Sequence, residues 1–411
     1  MKIYLVGGAV RDQLLNYPVK ERDWVVVGAT VEQMLNLNYQ QVGKDFPVFL
    51  HPETKDEHAL ARTERNTAPG YKGFDVHASV DVTLEEDLIR RDLTINAIAQ
   101  DDAGNIIDPY NGQADLKAKL LRHVSPAFSE DPVRILRVAR FAARYAHLGF
   151  SVADETITLM QKMVAAGEAN ALVAERVWQE FHKALTERNP EVFIEVLKNC
   201  NALKIILPEI DALFGVPQTK VHHPEIDTGI HTLMVLQQAT LLSPEPATRF
   251  AALCHDLGKA LTDKQNWPSH HGHEVKGKQP IRELCQRLRI PNDFKELALI
   301  TSEFHLHVHR AFEIKKSTLL KTIEKLDGMR KPDRYEAFLL ACTADIRGRT
   351  GYENCPYPQA DYYRKALKII KSIDMRPLKE AELKGKEMAG AIHTARQSAL
   401  NKQLQPPDEI G

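Results

Sequence analysis

Over the first 125 residues the apolar runs are short and closely spaced. Residues 3–6 read as a buried strand that stops at Gly7-Gly8, where the backbone can approach a ligand closely. Residues 9–15 follow a helical pattern, with an amide-rich start aimed at whatever lies over the glycines; Asn16 and Pro18 end it. The second strand, with its apolar run at 24–27, is expected to carry Glu21 and Asp23, whose two-residue spacing puts both carboxylates on one face. Residues 48–50, 58–62 and 106–108 predict further short strands. Residues 66–80 are turn-rich and read as a mobile loop, and residues 84–99 return to a helical pattern.

From residue 131 onward almost every segment reads as helix, so the chain predicts an α+β head followed by an all-α remainder. Ser129 and Asp131 supply capping groups, and Pro132 suits the first helical position. In the helix that follows, to about Tyr145, Arg134, Arg137, Arg140 and Arg144 fall on one side. Ile135, Leu136, Val138 and Ala139 fall on the other. No acid inside the helix balances the arginines, and such a face suits triphosphate or RNA phosphate. Helix breakers cluster near residue 220 (Pro208, Gly215, Pro217) and near 350 (Gly348, Gly351, Pro356, Pro358). The expected parts are a head over 1–125, a helical neck over 126–222, a helical domain over 223–346 and a helical tail over 347–411.

Composition narrows the class. The 411 residues are 43% hydrophobic and 27% charged, as in ordinary soluble globular proteins. A formal net charge of −1 means that any nucleic-acid surface must be local. No apolar run is long enough to span a bilayer, and the N-terminal run is too short for a signal peptide. The five cysteines are dispersed with no Cys-x-x-Cys pair, so reduced thiols in a cytoplasmic protein are expected.

Two carboxylates on one face must repel or share a cation, and for phosphate chemistry that cation is Mg²⁺. The order strand, Gly7-Gly8, helix, Glu21-x-Asp23 resembles the signature of the DNA polymerase β-like nucleotidyltransferase superfamily. Arg90-Arg91-Asp92-Leu93-Thr94-Ile95-Asn96-Ala97 and Glu130-Asp131-Pro132-Val133-Arg134 resemble further motifs of one branch, the bacterial class II CCA-adding enzymes or tRNA nucleotidyltransferases. The resemblance implies that Glu21 and Asp23 hold Mg²⁺. It implies that Gly8, Arg11, Arg91, Arg137 and Arg140 contact the incoming nucleotide and Asp92 its ribose. Asp131 and Arg134 would pair with the base edge and so choose CTP and ATP without a nucleic-acid template. Residues 66–80 match in position a segment that influences the change from C to A addition. Glu21 departs from an Asp-x-Asp form but keeps the ligand type. Glu64 is a third carboxylate by position, although a salt-bridged strand end is the favoured reading.

A second constellation lies downstream. His231, the adjacent pair His255-Asp256, and Asp345 resemble the ligand pattern of the HD phosphohydrolase superfamily, with His273 and His305 as further candidates. The resemblance implies a divalent transition metal (Ni²⁺, Co²⁺, Mn²⁺ or Zn²⁺) and 2′,3′-cyclic phosphodiesterase, 2′-nucleotidase and phosphatase activity. Gly258-Lys259 lacks the upstream glycine spacing of a phosphate loop.

The expected function is therefore addition of CCA to the 3′ end of tRNA from CTP and ATP, with a second, hydrolytic centre, in a monomer or homodimer. A poly(A) polymerase would use a similar head. The HD cluster and the lack of a long basic C-terminal extension speak against it. A phosphohydrolase whose head only binds RNA is the reading from another class.

Overall fold

The computed structural model describes residues 1–42, 48–66, 74–77, 79–220, 224–380 and 383–405. The chain divides into two compact units, Met1–Ile206 and Leu207–Gly411.

In the first unit, strands β1 (Lys2–Val6), β2 (Asp23–Val27), β3 (Gln40–Val42), β4 (Val48–Leu50) and β5 (Glu57–Leu60) form one mixed sheet. Its remaining strands are β8 (Ala99–Gln100) and β9 (Ile106–Ile107), and the order is β3-β4-β5-β2-β1-β8-β9. β1 and β2 run antiparallel with Val6 opposite Asp23, which sets that carboxylate beside the glycine turn. Side chains alternate across β2. Val25 joins Val6, Leu84 and Leu88 on one face, and Val26 joins Met34 and Phe49 on the other. Asp23 shares the face of Val25. Glu21 lies two residues ahead of the strand rather than within it.

Two sequence expectations change here. The flanks of the expected loop at 66–80 pair as an antiparallel ribbon, β6 (Thr63–Asn66) with β7 (Phe74–His77); residues 67–73 and the side chain of Glu64 lie outside the description. The helical pattern at 84–99 is not one helix. It is α3 (Leu84–Leu88), a 3₁₀ turn at Thr94–Asn96 and then β8. Leu93 leaves the helical path to bridge His123, and the Thr94 amide donates to the Arg122 carbonyl. Arg90, Arg91 and Asp92 therefore sit in a connection, not on a helix.

The first unit's helices are α1 (Gly8–Leu14), α2 (Val31–Asn36), α3, α4 (Gly112–Ala118), α5 (Val133–Tyr145), α6 (Asp154–Ala165), α7 (Ala174–Thr186), α8 (Glu191–Asn199) and α9 (Leu203–Ile206). α5 packs against α7 and α8.

The second unit is helical: α10 (Pro208–Asp211), α11 (Thr228–Leu242), α12 (Pro246–Cys254), α13 (His273–Lys276), α14 (Lys278–Arg287), α15 (Asn292–His309) and α16 (Lys316–Lys325). It continues through α17 (Pro332–Arg347), α18 (Pro358–Lys371), α19 (Arg376–Glu380) and α20 (Gly385–Gln403). Its centre is α11, α12, α15 and α17 packed on one another. Among the described residues no helix is long and apolar enough to cross a membrane. All five cysteines are free thiols.

Candidate active sites

The first unit holds a cavity of about 740 Å³ where the glycine turn, β2, the 90–96 connection, α5 and α7 meet. Gly8, Arg11, Glu21, Asp23, Arg91, Asp92, Asp131, Arg134, Arg137 and Arg140 all line it. The structure thus brings together all ten head residues predicted to hold metal or nucleotide; Glu64, whose side chain lies outside the description, is not among them. Gly7 has a left-handed φ of 67°, and a Cβ there would lie 2.8 Å from Arg91 Nη1, so both conformation and space require glycine.

The arginine face of α5 is not an unbalanced one. Its counter-charges come from distant elements. Arg137 Nε donates to Asp92 Oδ2 at 2.7 Å, Arg140 Nε to Glu180 Oε2 at 2.5 Å, and Arg144 Nη2 lies 3.4 Å from Asp12 Oδ2. Arg134 reaches back instead, donating to the carbonyls of Ala127 (2.7 Å) and Arg90 (2.6 Å). Even so, the arginines and lysines on the wall outnumber its carboxylates.

Asp92 is buried and also accepts from the Leu93 amide and the Asn96 side chain, both through Oδ1. Burial alone would raise its carboxyl; Arg137 and Asn96 outweigh that and hold it well below the usual carboxylate range. Asp131 Oδ1 accepts from the Val133 amide, while Oδ2 lies 3.6 Å from Arg176. Asp23 is shifted the other way. The surrounding protein raises its carboxyl, Arg91 and Arg137 pull it down, and the neighbouring Glu21 adds to the rise. A carboxylate raised mainly by burial and standing beside a second one is a fit for a hard cation with oxygen ligands, which would offset both the burial and the repulsion.

Several residues of this site were missed. Asp87, buried on α3, accepts from Arg90 Nη2 (2.9 Å) and Arg91 Nη2 (3.2 Å) and so aims both guanidiniums. Its i, i+3 and i, i+4 spacing to them was a readable signal. The groups that hold the predicted Arg11 were missed too: it donates to Asp12 (2.8 Å) and Asn96 (2.5 Å) and stacks over Phe141 and Tyr145. Glu180 and Arg176 lie on α7, at separations no local pattern reveals.

In the second unit, His231, His255 and Asp345 form one buried group able to hold a metal ion, and Asp256, His273 and His305 form another. They are adjacent: His255 Nε2 lies 3.0 Å from Asp256 Oδ2 and 3.7 Å from Asp345 Oδ1. All six residues predicted for this centre are therefore in it, divided over two groups. α11 carries His231, the end of α12 leads into His255 and Asp256, α15 carries His305, and α17 carries Asp345.

The ring orientations fit a metal. Each Nδ1 meets an oxygen outside the metal groups: His231 the Glu225 carboxylate (3.0 Å) and the Gly348 carbonyl (3.2 Å), His255 the carbonyl of Ala252 (2.7 Å), His273 that of His270 (2.7 Å) and His305 that of Ser302 (2.9 Å). That holds each ring by its Nδ1–H and leaves Nε2 as a lone pair facing the carboxylates. His255 Nε2 and Asp256 Oδ1 are buried without a hydrogen-bond partner, despite their close neighbours. Orphaned buried atoms of this kind suit coordination. Burial lowers His305 to about 3, so it is neutral. Asp256 and Asp345 are held well below the usual range; the histidines, and Lys259 for Asp256, overcome the effect of burial.

His309 was missed. Its Nε2 lies 2.7 Å from Asp345 Oδ2 and its Nδ1 2.6 Å from the Tyr357 hydroxyl. Gly258, whose phosphate-loop reading fails, has a packing reason: a Cβ there would strike the carbonyl of His273. The metal groups open on a cavity of about 700 Å³.

Comparison with known proteins bears on both sites. Residues 3–122 match the poly A polymerase head domain family, and residues 149–214 the family described as the probable RNA and SrmB-binding site of polymerase A. Residues 228–335 match the HD domain family. The multifunctional CCA protein of Thioalkalivibrio sulfidiphilus is 63% identical over 404 residues, 98% of each chain. That of Teredinibacter turnerae is 58% identical over 411 residues, 100% of each. A Thermotoga maritima CCA-adding enzyme complexed with tRNA has the same fold, with a TM-score of 0.65 at 20% identity over 100% of this chain and 89% of that one. The apo form II of a CCA-adding enzyme gives 0.67 at 19% identity over 99% and 89%. The chain belongs to the multifunctional CCA protein family, nucleotidyltransferases that carry an HD domain.

Proposed function

We propose that the head adds C, C and A to the 3′ end of tRNA from CTP and ATP, releasing pyrophosphate, and that the HD centre hydrolyses phosphate esters. The observation that carries the first part is the single cavity in which the carboxylate pair, the clamp arginines and the base-reading pair Asp131 and Arg134 all meet. Glu21 and Asp23 would hold Mg²⁺, which when bound polarises the attacking hydroxyl and the α-phosphate. Arg91, Arg137 and Arg140 hold and neutralise the triphosphate, and Arg11 supports them through Asn96. Asp131 offers acceptors and Arg134 donors to a base edge, so the pair imitates a Watson–Crick partner. To do so Arg134 must exchange its bonds to the Ala127 and Arg90 carbonyls for bonds to the base.

His231, His255, Asp256 and Asp345, with His273 and His305, would hold one or two divalent transition ions, which activate water for attack on phosphorus. Cyclic 2′,3′-phosphodiesters and 2′-phosphomonoesters are the substrate classes the family suggests. The work is cytoplasmic, on tRNA, by a monomer or homodimer. The functional parts are the head over 1–125, the neck over 126–222, the HD domain over 223–346 and the tail over 347–411, although the two compact units part between Ile206 and Leu207, and Gly348, Arg349 and Tyr357 from the tail reach the HD centre.

Two variants test the two-centre reading. Asp23→Asn should abolish nucleotide addition and leave phosphatase activity, and His255→Ala should do the reverse. Loss of both activities in each properly folded variant would refute separate centres.

A further inference from the structure

The HD cavity has two basic residues close to its metal-binding groups, Lys259 and Arg349, and they differ in what they already hold. The ammonium of Lys259 is taken up: it lies 2.6 Å from Asp256 Oδ2 and donates to Gln218. Arg310, farther out, is 64% exposed and paired with Glu313 at 2.9 Å. Arg349 is different. It lies just beyond the end of α17, four residues after Asp345, and lines the same cavity. Its side chain is only 19% exposed, and among the described residues its ion-pair contact is a long 3.9 Å to Asp345 Oδ1. Its Nε is buried with no hydrogen-bond partner among the described residues.

A half-buried guanidinium whose Nε is sealed from solvent without an acceptor is costly unless something supplies one. The acceptor set that matches its planar fork is a carboxylate or a phosphoryl group. The nearest carboxylate, Asp345, already faces His231 (3.2 Å) and His309 (2.7 Å) and belongs to a metal group. The backbone from which Arg349 departs is tied to the metal group: the carbonyl of the adjacent Gly348 lies 3.2 Å from His231 Nδ1. The same turn therefore orients a metal ligand and presents a cation beside it.

We infer that Arg349 binds the phosphoryl oxygens of the substrate in the HD centre, donating to non-bridging oxygens of the group under attack. The inference rests on phosphate-ester hydrolysis at this centre. It assigns the substrate's anion to one side chain and predicts a stronger effect on 2′-phosphomonoesters, which are dianions, than on 2′,3′-cyclic phosphodiesters, which carry one charge.

The test compares wild type, Arg349→Gln and Arg349→Lys as full chains loaded with Ni²⁺. Binding of inorganic phosphate is measured by calorimetry, and hydrolysis of 2′-AMP and 2′,3′-cyclic AMP by steady-state kinetics. Any phosphate taken up by the head is common to all three proteins and cancels in the comparison. The expected result for Arg349→Gln is phosphate binding weakened by about tenfold to a hundredfold. KM for 2′-AMP should rise more than KM for the cyclic substrate, with metal content and melting temperature unchanged and partial recovery in Arg349→Lys. Unchanged phosphate affinity in Arg349→Gln would overturn the inference. So would loss of bound metal, because Arg349 would then act only by positioning Asp345. A wild type that hydrolyses neither ester would refute the hydrolytic reading, while the phosphate measurement would still decide the role of Arg349.

Discussion

Asp92 Oδ2 accepts from Arg137 Nε at 2.7 Å, so an acid from the 90–96 connection balances a cavity-lining arginine of α5 across 45 positions of sequence. Through Oδ1, Asp92 also receives Asn96, whose own oxygen receives Arg11. One carboxylate therefore sets the aim of two cations. Asp92→Asn should lower kcat/KM for CTP and ATP alike, by about tenfold to a hundredfold. The stability loss should be about 1–3 kcal/mol, toward the low end because Arg137 is 37% exposed and screened. Steady-state kinetics and thermal melts check both. A loss confined to one nucleotide would show Asp92 to be a base-selecting group instead.

Acid should attack the same cluster. Burial would raise the carboxyls of Asp87 and Asp92, but Arg91 with Arg90, and Arg137 with Asn96, bring them below their ordinary 3.8. A depressed carboxyl contributes stability that is fully present above the unfolded value and is lost as pH falls through the folded one. Wild type should therefore lose stability steeply below about pH 4. An Asp87→Asn, Asp92→Asn double variant should be less stable near neutrality and show a shallower acid slope. Melting temperatures from pH 6 to pH 2.5 measure this, and parallel curves for the two proteins would contradict it.

Base choice should be separable from catalysis. Asp131→Ala removes the acceptors of the proposed base-reading pair while leaving Glu21 and Asp23 in place. Discrimination of CTP and ATP against UTP and GTP should fall by about tenfold to a hundredfold. Arg176→Ala, which frees Asp131 Oδ2 of its neighbour at 3.6 Å, should have a smaller effect in the same direction. Misincorporation frequencies read from sequenced products check this.

How far the sequence alone could go is visible residue by residue. Strand alternation and the glycine turn located β1, β2 and the carboxylate pair, because those signals are local. The run at 84–99 misled because Leu93 to Ala99 is apolar enough to pass for helix, while a bridge from Leu93 to His123 pulls it out of helical form. The arginine stripe was legible, but its partners Asp92, Glu180 and Asp12 lie on other elements and only folding assembles them. His309 could have been read: four residues after His305 on one helix, it shares its face. His307, between them, turns away to Thr322. Gly348 and Arg349 could not, since the helix breakers there mark an end without showing what the turn touches.

The HD centre should depend on its metal. Chelation of the purified protein should abolish ester hydrolysis, and a divalent transition ion should restore it. Asp345→Asn should lower metal content and hydrolysis together, by about a hundredfold in activity. Nucleotide addition assayed with Mg²⁺ should persist. Metal analysis beside activity checks the pairing; full hydrolysis by a metal-free protein would contradict it.

The central claim is that the head chooses C and A with no nucleic-acid template. The most direct measurement is to incubate the protein with Mg²⁺ and tRNA lacking its terminal CCA, with CTP alone, ATP alone and both, and to sequence the 3′ ends. The account predicts CC with CTP alone, no complete end with ATP alone, and CCA as the dominant product with both. A homopolymeric A tail, or no extension under any condition, would contradict it.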